Sequence, residues 1–128
     1  MEYKITIPGS VRSKKNSKIP INVGGRIRLI PSKAYRLWEK IGRRDILTQL
    51  PKGFNLITEP IEIKAIFYYK GNRPDLSGAL ESAGDCLEGV VYTNDRLIES
   101  WDGSRLYHDK ETPRTELIIT IIKKRDKP

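Results

Sequence analysis

The chain has 128 residues, of which 38% are hydrophobic and 31% are charged, and its formal net charge is +8. This length favours one domain spanning residues 1–128, and the composition is that of a folded protein in water. No apolar run approaches the roughly 20 residues of a membrane span, and the start of the chain lacks the apolar stretch of a signal peptide. We therefore expect no membrane partner and a cytoplasmic location, with which the single cysteine, Cys86, is compatible.

The charge is distributed unevenly along the chain. Residues 1–52 carry 13 Lys or Arg and 3 Asp or Glu, a net charge of +10, whereas residues 53–128 carry 11 and 13, a net charge of −2. Clustered cations serve nucleic-acid binding, binding to anionic lipid, or solubility alone. Here they are interleaved with polar residues and lack a large amphipathic apolar face, which favours nucleic acid.

The first predicted elements are a strand and a long basic loop. Residues 2–7 alternate between apolar and polar side chains and predict a half-buried strand that ends at Pro8. Residues 9–31 form a polar segment rich in Lys and Arg, in which the Gly24-Gly25 pair predicts a small hairpin. A loop of this length inside a small domain is more often functional than idle.

Two helices and three further strands follow. Ser32 is a suitable N-cap, and apolar residues near helical spacing predict a helix over 32–50. The other face of this helix is cationic, with Lys33, Arg36, Lys40, Arg43 and Arg44. Alternation predicts a strand over 61–69, and Pro74-Asp75 opens a second helix that runs to about Glu88.

The chain then ends in a bent strand over 97–107 and an isoleucine-rich strand over 116–124. The predicted order is therefore strand, loop, helix, strand, helix, strand, strand. This order predicts an α+β domain with a small mixed sheet and two main helices packed on one face.

Acidic residues are concentrated in one region of the second half, residues 73–102. Seven acids lie there beside few cations: Asp75, Glu81, Asp85, Glu88, Asp95, Glu99 and Asp102. Carboxylates this concentrated are most readily understood if a hard divalent cation lies among them. Mg²⁺, with Mn²⁺ as a substitute, binds carboxylate oxygens and supports reactions at phosphate. Zinc is not expected, because one cysteine and one histidine give no familiar ligand set, and no glycine-rich loop indicates a small-molecule cofactor.

Helical spacing places Ser77, Glu81 and Asp85 on one face of the second helix, while Asp75 begins that helix and Asp95 lies in the turn after it. Each acid also has an ordinary structural explanation. An aspartate is common as a helix cap and in turns, and a carboxylate on a helix is commonly solvated. The concentration of these acids in one region is what favours a metal site.

Residues 74–98, PDLSGALESAGDCLEGVVYTNDRLI, resemble the RusA family of Holliday-junction resolvases. The family pattern opens a helix with Asp-Leu-Asp-Asn-Leu, has Asp-Ala-Leu near the helix end, and continues into a turn with paired acids and a hydrophobic step. Asp75-Leu76 matches the first part, Asp85-Cys86-Leu87 the second and residues 94–98 the third. The strand ending at Pro8 and the basic loop after it also fit the family.

The resemblance implies a RusA-like fold and a homodimeric, Mg²⁺-dependent endodeoxyribonuclease that resolves four-way DNA junctions by paired symmetric nicks, in a bacterial or phage-infected cell. By position, Asp75 and Asp95 would be metal ligands, and Asp85 would be a further ligand or support one. Two positions depart from the pattern: its second aspartate is Ser77, and a frequent basic residue is Glu81. Because Glu81 lies one helical turn from Ser77, we expect its longer side chain to complete the catalytic and metal-binding set.

The expected contacts with DNA phosphates come from the basic loop and from the start of the second helix. The residues are Arg12, Lys14, Lys15, Asn16, Lys18 and Arg73. Two other functions remain open. The first is a nucleic-acid-binding protein without catalysis, whose acids are structural and whose metal site is degenerate through Ser77. The second is a small basic scaffold protein that binds RNA in a larger assembly.

Overall fold

The computed structural model describes residues 1–14 and 18–122. It contains a five-stranded mixed sheet, a two-stranded sheet and two α-helices, which confirms the predicted α+β class. The elements are β1 (Glu2–Pro8), β2 (Lys18–Val23), β3 (Arg26–Pro31), α1 (Lys33–Gln49), β4 (Ile61–Tyr69), α2 (Leu76–Leu87), a 3₁₀ turn (Asp95–Leu97), β5 (Ile98–Ser100), β6 (Arg105–His108) and β7 (Arg114–Ile121).

The main sheet has the order β1-β7-β4-β5, and β6 also pairs with β4. β7 is antiparallel to both of its neighbours, whereas β5 and β6 run parallel to β4. The region predicted as one bent strand therefore forms two short strands, β5 and β6, which both pair with β4. A turn at Asp102-Gly103 separates them. The last strand begins at Arg114, two residues earlier than predicted, and ends at Ile121.

The strand alternation creates one buried face of the sheet. Its buried apolar side chains are Ile5, Ile7, Ile61, Ile63, Ala65, Phe67, Leu117 and Ile119. The two helices pack there, α1 through Tyr35, Trp38 and Ile46 and α2 through Ala79, Ala83 and Leu87. This packing explains the α+β architecture, because each apolar helix stripe needs an apolar surface to cover.

Helix α1 begins and ends where its capping signals predict. The Ser32 hydroxyl accepts a hydrogen bond from the backbone N–H of Tyr35, at 3.1 Å. The apolar residues of α1 fall into two sets: Tyr35, Trp38 and Ile46 are buried, whereas Leu37 and Leu47 are 53% and 61% exposed. No helix in the described part of the chain has both the length and the apolar character needed to cross a membrane.

The segment predicted as a long loop, residues 9–31, is more regular than expected. Strands β2 and β3 pair in antiparallel register around Gly24 and Gly25, whose φ angles are 58° and 82°. Two successive positive φ angles define a tight hairpin turn that matches strand twist and favours glycine. The predicted hairpin is therefore confirmed, and the loop is shorter than predicted.

Candidate functional site

Asp75 and Ser77 form the start of the candidate site at the N-terminus of α2. The Asp75 backbone carbonyl accepts the first helical hydrogen bond, from the N–H of Ala79 at 2.9 Å. Within the described residues, its carboxylate accepts from the Ser77 hydroxyl, at 2.8 Å, rather than from a backbone N–H of the helix. Helix capping therefore does not account for this carboxylate, which is exposed beside Ser77.

A tight return of the chain brings Asp95 back to α2. Gly89, at a φ of 79°, lets the chain reverse after the helix, and its N–H donates to the Tyr92 carbonyl at 2.8 Å. The buried Tyr92 hydroxyl donates to the Gly84 carbonyl inside α2, at 2.5 Å. The Asp95 N–H then donates to the Glu88 carboxylate, at 3.2 Å. These bonds fix the acidic turn beside the end of the helix.

The helix and the turn together form an open cleft of about 340 Å³. Its polar lining is Ser77, Glu81, Asp85 and Asp95, and its apolar lining includes Leu80, Ile98 and Trp101. Residues of α2 and of the turn after it therefore share one cleft, and Asp75 lies at its rim through the bond to Ser77. The predicted placement of Ser77, Glu81 and Asp85 on one helix face is confirmed.

Asp85 is a half-buried acid of the cleft. Burial raises the pKa of its carboxyl above the ordinary value of 3.8, and repulsion from Glu81, Glu39 and Glu88 raises it further. The Lys14 ammonium, 3.7 Å from a carboxylate oxygen, lowers this pKa and so opposes the shift. Because the net shift of the Asp85 pKa is upward, the surroundings of this carboxyl disfavour its negative charge. A cation added under that condition would be stabilised.

The start of the basic loop is fastened to α2, which places cations beside the acids. The Lys14 backbone N–H donates to the buried Ser82 hydroxyl at 3.2 Å. Nearby, the Ser10 hydroxyl accepts from the Lys70 N–H at 3.1 Å, and Val11 lies in the core. The loop therefore leaves the sheet in a defined direction, across the helix that carries Glu81 and Asp85.

The other predicted DNA contacts are distributed around this loop. Arg12, Lys18 and Arg73 are exposed, and Arg73 precedes Asp75 by two residues. Lys15 and Asn16 lie outside the described residues. Arg43 does not belong to the outer cationic face of α1 as predicted, because its guanidinium donates to the backbone carbonyl of Asp85 at 2.8 Å. It joins the two helices directly behind the cleft.

The donor atoms of the cleft suit a magnesium ion that is held partly by its substrate. Carboxylate and hydroxyl oxygens are hard ligands, as Mg²⁺ prefers, and Mg²⁺ is usually held by one or two carboxylates together with waters and substrate phosphates. In residues 1–14 and 18–122, no group of three or more His, Cys, Asp or Glu is arranged to bind a metal together. An ion bound there would therefore need waters and phosphate oxygens to complete its coordination.

Sequence reasoning missed the residues that support the cleft. Tyr92 holds the return segment, Ser82 holds the basic loop, and Trp101 forms an apolar wall. The available signal for Ser82 was its helical spacing from the apolar Ala79 and Cys86, which places its hydroxyl on the buried stripe, where it requires a partner. Comparisons with protein-family models and with curated proteins find no match for this chain.

Proposed function

We propose that this protein is a Mg²⁺-dependent endodeoxyribonuclease that resolves four-way DNA junctions by paired symmetric nicks. The observation that carries the proposal is the shared cleft, which is lined by Glu81 and Asp85 of α2 and by Asp95 of the following turn. These residues come from the segment that resembles the RusA family. A cleft lined by carboxylates and approached by cations is also the arrangement that cleavage of a polyanion requires.

The acids divide into two groups by their surroundings. Asp75, Glu81 and Asp95 are exposed, so we assign them to direct contact with the ion. When bound, Mg²⁺ would supply charge neutralisation at the scissile phosphate and a more acidic water. Asp85 is half-buried and is bonded through its backbone to Arg43 and through its side chain to Lys14. We therefore assign it mainly to positioning of the loop, with a direct contact to the ion as its second role.

The cations around the cleft would hold the DNA. Lys14 lies at the cleft through its contact with Asp85. Arg12 and Arg73 are both exposed. Lysine and arginine contacts to phosphates position DNA without reading its sequence, which suits an enzyme that recognises branching. A homodimer with twofold symmetry completes the proposal, because it presents one cleft to each of two strands. The buried thiol of Cys86 is free, and we place the protein in a reducing cytoplasm.

Cleavage of a synthetic four-way junction tests this function. Wild-type protein and Asp75→Asn are incubated with the junction and with linear duplex, in Mg²⁺ and in EDTA, and both labelled strand pairs are mapped. We expect paired symmetric nicks that require Mg²⁺ and Asp75. Asp102→Asn is the matched control, because Asp102 is an exposed acid outside the cleft. Equal cutting by Asp75→Asn would contradict the proposed site.

Two observations favour a second function. The described residues provide no ready-made group of three metal ligands, and a serine stands where the RusA pattern has an aspartate. A branched-DNA-binding protein that has lost its chemistry fits both facts. Glu81→Ala separates the two functions: loss of Mg²⁺-dependent cutting supports Glu81 as the substitute ligand. Junction binding without any cutting by the wild type would support the non-catalytic protein.

A further inference from the structure

The hairpin formed by β2 and β3 is an arm with little support from the rest of the protein. Among the described elements, each strand makes its extensive contacts with the other strand alone. No residue of 18–31 is fully buried. Strands of six residues give the arm a length of roughly 20 Å, at about 3.4 Å per residue. An isolated two-stranded hairpin is at best marginally stable in water, so a surface that packs against it would stabilise it.

Both faces of this hairpin carry apolar side chains, and its two arginines lie on one of them. In an antiparallel pair, residues directly opposite each other lie on the same face. Pro20 is opposite Leu29, and Ile27 lies two residues before Leu29 on the same strand, so Pro20, Ile27 and Leu29 share one face; Ile27 is opposite Asn22. Ile27 and Leu29 are 77% and 67% exposed. On the other face, Arg28 lies opposite Ile21 and Arg26 lies opposite Val23. The tip therefore presents an apolar edge and two exposed guanidinium groups.

Charge decides which partner this arm suits. Residues 3–38 contain no Asp or Glu, so the cations of the arm have no acid near them in the sequence. A second copy of this chain also carries +8 and would offer the arm an opposite charge only at its acidic region. A nucleic acid is attracted by every cation of the arm. The large exposed apolar residues are not needed for contact with a phosphate backbone. They provide a surface that suits contact with bases.

We propose that the β2–β3 hairpin inserts into the branch point of its DNA target, with Ile27 and Leu29 packing against unstacked bases and Arg26 and Arg28 contacting the flanking phosphates. This inference rests on the proposed function for its target, branched DNA. Two-stranded ribbons fit DNA grooves, and isoleucine and leucine are residues that proteins wedge between base steps. Stacking is already interrupted at a branch point, so the wedge costs less there than in continuous duplex. The arm therefore supplies selectivity for branching.

Fluorescence of 2-aminopurine placed next to the branch point tests the wedge. Binding and fluorescence are measured in EDTA, so that no strand is cut, for a four-way junction and for a linear duplex of the same sequence. We expect wild-type protein to raise the fluorescence of the junction. Ile27→Ser combined with Leu29→Ser should lose that rise and weaken junction binding by about tenfold, while duplex binding is unchanged.

Two further variants separate the wedge from general effects. Leu37→Ser with Leu47→Ser removes two similarly exposed apolar side chains from α1 and should retain the wild-type signal. Arg26→Gln with Arg28→Gln should weaken junction and duplex binding alike and reduce the slope of log K against log salt by about 2. Thermal unfolding of each variant confirms that the domain remains folded.

The outcomes distinguish this inference from the proposed nuclease. If the serine variant keeps both the fluorescence rise and the junction affinity, the wedge is overturned, even if the wild type cuts junctions in Mg²⁺. If the wild type unstacks the branch point but never cuts it, the wedge stands and the nuclease fails. Absence of any junction binding overturns both. A change of oligomeric mass in the serine variant, without a change in DNA binding, would assign the arm to a second copy and overturn the wedge.

Discussion

Helix α2 and the β2–β3 hairpin lie at opposite extremes of packing in this protein. Seven of the helix residues are buried: Gly78, Ala79, Ser82, Ala83, Gly84, Cys86 and Leu87. The hairpin has none. The helix carries Glu81 and Asp85 of the cleft, and the hairpin carries cations and exposed apolar side chains.

The difference suits the proposed role of each region. Carboxylates that share an ion must keep their relative positions, so they stand on a helix that is held by the core on several sides. Groups that reach into a large, irregular polyanion need exposure and length more than rigidity. The protein therefore places its proposed chemistry on packed structure and its proposed recognition on an arm.

The largest effect is expected for the acid of the turn. Asp95→Asn should lower junction cleavage by more than about 100-fold, since even the residues that support metal ligands contribute 10- to 100-fold. Junction affinity in EDTA should remain unchanged. Glu99→Gln, which alters an exposed acid outside the cleft, should cut normally. Equal rates for wild type and Asp95→Asn, in single-turnover assays, would remove Asp95 from the site.

The contrast in packing predicts a large difference in stability. Leu87→Ala opens a cavity at a fully buried position and should lower the free energy of unfolding by about 2–5 kcal/mol. Leu29→Ala, at a 67% exposed position of the hairpin, should change it by less than about 0.5 kcal/mol. Urea denaturation measures both. Equal losses would mean that the hairpin is packed in solution.

The hydrogen bond between Tyr92 and α2 should have an intermediate effect. Tyr92→Phe removes the hydroxyl that donates to the Gly84 carbonyl. That carbonyl also accepts from the Glu88 N–H, at 3.1 Å, and so keeps one partner. We expect a loss of about 0.5–1.5 kcal/mol in chemical denaturation, together with slower cleavage. Tyr107→Phe, at a half-exposed ring, is the control that should change neither quantity.

The smallest effect concerns the pH dependence of Asp85. Because its folded pKa is raised above 3.8, the folded state binds this proton more tightly than the unfolded chain does. Its contribution to stability is therefore highest below pH 3.8 and falls as the pH rises through the folded pKa. Asp85→Asn should equal the wild type in acid and be more stable at pH 7, by less than about 1 kcal/mol because the group is partly exposed.

Lys14→Gln sharpens the same measurement. It removes the cation that lowers the pKa of Asp85, so the loss of wild-type stability with rising pH should become larger. Thermal unfolding between pH 3 and pH 8 records both variants. If Asp85→Asn is less stable than the wild type at neutral pH, the ion pair with Lys14 outweighs burial and repulsion.

Local patterns were sufficient for most of the fold. Alternation located β1 and β4, the Ser32 cap located the start of α1, and the paired glycines located the hairpin turn. These features depend on neighbouring residues, which a sequence displays directly. The common face of Ser77, Glu81 and Asp85 was predictable for the same reason, since helical spacing alone places them together.

The surroundings of the acids were decided by contacts between distant parts of the chain. Arg43 reads as a solvent-facing cation of α1, yet it bonds to a carbonyl 42 residues away. Lys14 meets Asp85 only because Ser82 anchors its backbone across 68 residues. The sequence by itself determined the elements and the concentration of acids, because both are local properties. Only the tertiary structure determined which cations stand beside the cleft, because side-chain pairing depends on how the helices and the loop pack.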